Sequence, residues 1–155
     1  MPSCVLTGKQ LHNFALLGLD AKPWEYRNHQ GRVVLLVFWE TTCLPCRDAI
    51  PFLKIFRNVY GPKGLEVIAI AYEDGPVQEQ IGKVGALRDR LGINYRLLLG
   101  GDVASCPVRT QFGVSSFPTL VLLDQQNRII SRQQGFEVNK LQELEMLIKL
   151  QLGGR

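Results

Sequence analysis

Val33-Val34-Leu35-Leu36-Val37-Phe38-Trp39 runs directly into Glu40-Thr41-Thr42-Cys43-Leu44-Pro45-Cys46-Arg47. The first part is apolar without a break and rich in β-branched side chains, the pattern of a central parallel strand covered on both faces. Cys43 and Cys46 stand where this strand gives way to a helix. Residues at i and i+3 share a helical face, so the two sulfurs can meet in a small-loop disulfide. The first turn of a helix has unpaired backbone N–H groups and the positive end of the macrodipole, and both stabilise a thiolate. Cys43 is therefore expected to be the more acidic cysteine and the nucleophile. Thr42 is the expected N-cap, and Pro45 is tolerated because N–H groups in the first turn have no helical partner.

Working outward, Phe52, Ile55, Phe56 and Val59 recur at i, i+3, i+4 and i+7 and predict a helix buried along that face. Gly61-Pro62 and Gly64 end it. Leu65 to Ala71 reads as the next strand, and Val77, Ile81, Val84, Leu87 and Leu91 mark a second helix that Gly82 and Gly85 weaken. Tyr95 to Leu99 reads as a short strand and Val108 to Phe112 as a short helix. Thr119 to Leu123, a turn at Gln125-Gln126-Asn127, and Arg128 to Gln134 form a β-hairpin. Leu141, Leu144, Ile148 and Leu152 are the stripe of a closing helix. On the N-terminal side, Phe14 to Leu19 alternate weakly before the turn-like Asp20-Ala21-Lys22-Pro23, which predicts a short hairpin. The order is that of one α/β domain over residues 1–155, a mixed central sheet flanked by helices on both faces.

Composition narrows the function. Apolar residues make up 46% and charged residues 21% of the chain, the balance of a globular domain. The net charge of +4 is spread without a basic stripe, so nucleic acid is not an expected partner. The longest apolar run, Val33 to Trp39, is far shorter than the ~20 residues that span a bilayer. Met1-Pro2-Ser3-Cys4 has neither the charged nor the apolar region of a signal peptide. A cytosolic protein and an excised mature domain both fit that start, and the cysteine content does not choose between them.

A lone C-x-x-C is also half of a zinc site. The other cysteines, Cys4 and Cys106, form no second C-x-x-C, and His12 and His29 lie upstream without zinc-ligand spacing. Haem attachment needs a histidine after the second cysteine, where Arg47 stands. A pair of inert core cysteines is the remaining bland alternative. Ser116-Phe117-Pro118-Thr119 places a proline at the start of a strand, where a missing N–H is best tolerated and a cis bond is possible.

Phe38 to Arg47 resembles the F-W-x-x-x-C-x-P-C-[RK] signature of the thioredoxin superfamily. Pro51 resembles the proline that kinks the family's active-site helix, and Phe117-Pro118-Thr119 resembles its cis-proline loop, which lies against the disulfide and docks extended substrates. The resemblance runs from about Asn13 to Leu150. Gly8 to Asp20, the N-terminal hairpin and the insertion around the second helix bring it nearest to the TlpA/ResA-like branch. It implies a thioredoxin fold with an N-terminal β-hairpin extension, and a thiol-disulfide oxidoreductase acting as a reductase of protein disulfides. Cys43 would be the nucleophile and Cys46 the resolving cysteine of a redox-active disulfide, with Pro118, Phe117, Trp39 and Pro45 docking substrate or supporting the site. No metal or organic cofactor is implied. The partners would be a protein or small-molecule disulfide and an upstream thiol reductant. Relatives of this branch are typically extracytoplasmic reductases, many serving cytochrome c maturation. An extracytoplasmic monomer, with a membrane tether outside this chain, is the corresponding expectation.

The departures from the family pattern concern proton transfer. Thioredoxins carry a buried aspartate where Val37 stands, and ResA-like proteins a glutamate where Ala49 stands. Asp48 would point about 100° away around the helix. Glu40 is the candidate for a substitute proton relay. Thr42 replaces the tryptophan that often precedes the first cysteine. Cys106 reads as a buried thiol or a resolving one, and Cys4 as a bystander or the remnant of a lipid-anchored start. Two rival functions fit parts of the sequence. A peroxiredoxin-type peroxidase needs P-x-x-x-T-x-x-C, but the required threonine position holds Glu40 for Cys43 and Cys43 itself for Cys46. A non-catalytic thioredoxin-like interaction module fits the missing acids, but not the retention of both cysteines and Pro118.

Overall fold

The computed structural model describes residues 14–26, 32–101 and 107–153. Among these residues, seven strands form one mixed sheet in the order β2-β1-β5-β4-β3-β6-β7. They are β1 (Ala15–Gly18), β2 (Pro23–Glu25), β3 (Val33–Trp39), β4 (Leu65–Ala71), β5 (Arg96–Leu99), β6 (Thr119–Leu123) and β7 (Ile129–Gln134). The helices among the described residues are α1 (Leu44–Tyr60), α2 (Val77–Leu91), α3 (Pro107–Phe112) and α4 (Val138–Gln151).

Strand β3 lies at the centre, parallel to β4 and antiparallel to β6. All of its residues are buried, which is why its sequence shows no polar alternation. Val33, Leu35, Val37 and Trp39 point into one core with the inner faces of α1, α2 and α4. Val34, Leu36 and Phe38 point into a second core with Phe112, Val114 and the N-terminal Phe14 and Tyr26. Two parallel connections, β3-α1-β4 and β4-α2-β5, carry the chain outward along the sheet. The segment containing α3 then returns it to the other side of β3. The N-terminal hairpin pairs β1 with β2 and adds both strands beside β5. The part of that extension before residue 14 lies outside the described residues, as do Cys4, Cys106, His12 and His29.

The structure corrects two of the stripes. In α1 the buried residues are Cys46, Ala49, Ile50, Leu53, Phe56 and Tyr60, whereas Ile55 is 53% and Val59 44% exposed. The stripe that meets the sheet runs from Cys46 and Ala49 through Leu53 to Tyr60, which leaves Ile55 and Val59 on the neighbouring outward face. Phe52 stays half-buried against Phe136, their ring centroids 5.7 Å apart. In α2 the inward position is Gln80 rather than Val77, and its Nε2 donates to the Gly75 carbonyl at 2.8 Å. The closing stripe of Leu141, Leu144, Ile148 and Leu152 is buried throughout. In the β6–β7 hairpin, Asp124 Oδ1 accepts from the N–H groups of Gln126 and Arg128, both at 2.9 Å. Asn127 takes the left-handed conformation there, φ 64°, which asparagine tolerates well.

The offset of the α1 stripe has a measurable consequence. Leu53→Ala should lose about 2–5 kcal/mol of stability in urea unfolding, the usual cost of truncating a buried leucine. Ile55→Ser should stay within about 0.5 kcal/mol of the wild type. Equal losses at the two positions would contradict the observed orientation of the helix.

Candidate active site

Strand register decides what meets at the site. Trp39 pairs with Ala71, Ala71 with Leu99, and Phe38 with Thr119, so β3, β4 and β5 end on the line where β6 begins. The residues just past that line are Glu40 to Cys43 after β3, Tyr72 and Glu73 after β4, and Gly100 after β5. Phe117 and Pro118 precede β6. Outside the carboxyl ends of parallel strands is where open α/β sheets place ligands.

Cys43 and Cys46 are joined in a disulfide with Cα atoms 5.2 Å apart. Cys43 itself caps α1. Its backbone is extended, and its Sγ accepts from the Cys46 N–H at 3.2 Å, so the expected cap at Thr42 is replaced by the sulfur. The two cysteines sit in different surroundings. Cys43 is half-buried, beside the exposed Leu44 and Pro45, whereas Cys46 is 2% exposed and shares a core cluster with Val37, Trp39 and Ala49.

The loop before Cys43 is tied from two sides. The Thr41 N–H and hydroxyl donate to the two carboxylate oxygens of Glu73 at 2.7 and 2.8 Å. Arg47 Nε donates to the Thr41 carbonyl at 2.7 Å. A turn bond from the Cys43 N–H to the Glu40 carbonyl, 3.3 Å, completes the loop.

Opposite the disulfide lies the Phe117–Pro118 bond, which is cis. The Phe117 carbonyl oxygen is 3.6 Å from Cys43 Sγ. Pro118 is buried and its carbonyl accepts from the Gly135 N–H at 2.8 Å, while the Thr119 hydroxyl donates to the Ser116 carbonyl at 2.8 Å. The structure therefore brings Cys43, Cys46, Phe117, Pro118 and Pro45 together. Trp39 lies beneath them in the core, so it can support Cys46 but does not face an incoming chain.

The carboxylates stand elsewhere. Val37 and Ala49, which stand where the thioredoxin and ResA-like patterns respectively led us to expect an acid, are buried and apolar. Asp48 is exposed. Glu40 is half-buried at the rim, where desolvation and then the charges of Glu73 and Asp74 hold its carboxyl above the usual range. Among the described residues no group of three or more His, Cys, Asp or Glu is placed to hold a metal ion. Tyr72, Glu73 and Gly100 did not stand out in the sequence. Their position directly after β4 and β5 is the signal that points to them.

A family model described as Redoxin matches residues 6–148. The thiol-disulfide oxidoreductase ResA of Bacillus thuringiensis subsp. konkukian is 30% identical over 144 residues, covering 92% of this chain and 78% of that protein. The thioredoxin-like protein YneN of Bacillus subtilis is 28% identical and covers 94% of this chain and 79% of its own length. Among solved structures, a putative thiol:disulfide interchange protein DsbE from Chlorobium tepidum superposes with a TM-score of 0.83. It covers 96% of this chain and 99% of that one at 24% identity, a likeness of fold.

The crowded rim acids yield a pH-dependent stability. Glu40 binds its proton more tightly in the folded protein than in the unfolded chain, so its ionised form opposes folding at neutral pH. That opposition vanishes as pH falls and the carboxyl is protonated in both states. Glu40→Gln should therefore melt higher than the wild type at pH 7, and the difference should close as pH falls through the carboxylate range. Thermal melts across pH check this; a Gln variant that melts lower at pH 7 would refute it.

Proposed function

The chain belongs to the Redoxin family, in the ResA-like branch of the thioredoxin superfamily, and is a thiol-disulfide oxidoreductase; on that premise we propose that it reduces protein disulfides through Cys43 and Cys46. The observation that supports this most is the asymmetry of the pair. One sulfur, Cys43, reaches the surface at the N-terminus of α1 beside Phe117, while its partner is sealed in the core.

In the reduced protein the Cys46 N–H and the helix terminus stabilise a Cys43 thiolate. That thiolate attacks one sulfur of a substrate disulfide; the substrate S–S bond breaks, and its other sulfur leaves as a thiolate and takes up a proton. A mixed disulfide now joins Cys43 to the substrate. Cys46 gives up its proton and attacks Cys43 Sγ, expelling the second substrate thiol. The substrate gains two electrons and two protons, and the protein ends in the Cys43–Cys46 disulfide of the present structure. An upstream dithiol must return the electrons. Pro118 and the Phe117 carbonyl are assigned to docking the extended substrate chain. By the same resemblance we assign the protein to an extracytoplasmic compartment; no helix among the described residues is long and apolar enough to cross a membrane. Protease accessibility in intact cells checks that assignment.

The wild type should reduce insulin with a thiol reductant, and Cys43→Ser should abolish the reaction. Cys46→Ser should accumulate the mixed disulfide, and mass mapping after mild alkylation of the reduced protein should find Cys43 modified first. Preferential labelling of Cys46 would overturn the assignment of roles.

With Val37 and Ala49 in place of an acid, burial keeps the Cys46 thiol protonated and slows resolution near neutral pH. Each pH unit of elevation is ~1.4 kcal/mol in the ionisation equilibrium, but the rate falls less than tenfold because a more basic thiolate attacks better. Stopped-flow reduction of a model disulfide should be faster for Val37→Asp at pH 7. A large loss in Glu40→Gln with no gain in Val37→Asp would instead identify Glu40 as the base.

A further inference from the structure

We propose that Tyr72, given room by the absent side chain of Gly100, is a positioning residue that holds the Phe117 carbonyl against Cys43. The inference rests on the thiol-disulfide reading of this site and extends it to residues that touch neither sulfur.

Tyr72 is the first residue past β4 and is 2% exposed. Its N–H donates to the Trp39 carbonyl at 2.9 Å, continuing the β3–β4 ladder and fixing the root of the side chain. The ring packs on both Phe38 and Phe117 and is nearly parallel to each. Its centroid is 6.4 Å from that of Phe38, at 17° between planes, and 5.4 Å from that of Phe117, at 21°. Phe38 in turn meets Phe112 at 5.7 Å. Phe117 thus rests on a column of rings that begins in the second core.

Gly100 makes the column possible. Its N–H donates to the Ala71 carbonyl at 2.8 Å, so its backbone is held at the edge of β4. A Cβ built on it would overlap the Tyr72 ring. Gly100 is not among the glycines in the left-handed region, so its backbone conformation admits alanine and the ring alone requires glycine.

The chemistry follows from two opposed contacts on Cys43. The Cys46 N–H can only donate, and so favours a thiolate. The Phe117 carbonyl can only accept, and so favours the protonated thiol. Holding that carbonyl 3.6 Å from the sulfur limits the acidity that the helix terminus confers. It also fixes the main-chain acceptor assigned to the incoming peptide.

The test compares Tyr72→Phe, Tyr72→Leu and Gly100→Ala, each checked for cooperative melting. Two readouts are followed: the pH dependence of Cys43 alkylation, and kinetics with an extended peptide disulfide beside a small symmetric disulfide. Tyr72→Leu and Gly100→Ala should each move the alkylation midpoint about half a pH unit toward acid, the effect of losing one weak hydrogen bond to the thiol. Each should also raise KM for the peptide about fivefold, with no loss of rate on the small disulfide. Tyr72→Phe, which keeps the stack, should fall closer to the wild type than Tyr72→Leu in both. If Tyr72→Leu does not fold, Gly100→Ala decides alone, since it adds one methyl group. A folded Gly100→Ala protein with the wild-type midpoint and peptide KM would overturn the proposal. Activity surviving in Cys43→Ser would instead overturn the reading of the site itself.

Discussion

Backbone pairing along β3 is the constraint from which the site follows. The strand is bonded to β4 on one side and β6 on the other, and the register of both ladders is fixed by which residues must be buried. A slip by one residue would turn Val33, Leu35, Val37 and Trp39 toward the wrong core and expose α1 to a face shaped for other side chains. Because the ladders are locked, Cys43, Tyr72, Gly100 and Phe117 emerge at one edge although they come from four separate parts of the chain. The packing that stabilises the molecule is therefore the same packing that aligns its chemistry.

Around Cys43 the polar groups are few and opposed. A backbone N–H and a helix terminus act in favour of negative charge on the sulfur, and a carbonyl across the cleft acts against it. Cys46 lacks any such balance, since its surroundings are apolar. Desolvation and dipole orientation thereby give two chemically identical side chains, one helical turn apart, different surroundings.

Much of this could be read from residues in order. A short apolar run rich in β-branched residues fits a strand covered on both faces, and C-x-P-C directly after it marks a helix start. Pro118 declared itself as a strand-opening proline. The α1 stripe differs from its spacing because Phe52, Ile55, Phe56 and Val59 recur at helical intervals, and periodicity alone cannot say which of two neighbouring stripes faces the sheet. Packing against the inner face of the sheet decides that. The cap at Thr42 was misread because a half-cystine sulfur serves as acceptor where a hydroxyl was expected. Tyr72 and Gly100 left no local pattern, since their relation is a contact between the ends of adjacent strands.

The ties on the loop that carries Cys43 bear on how the protein moves between its redox states. Glu73 holds both polar groups of Thr41, and Arg47 holds its carbonyl; none of these bonds involves sulfur. They are equally available when the disulfide is open. The loop is thus held by polar ties of its own as well as by the cross-link, so its path does not rest on the sulfur–sulfur bond alone.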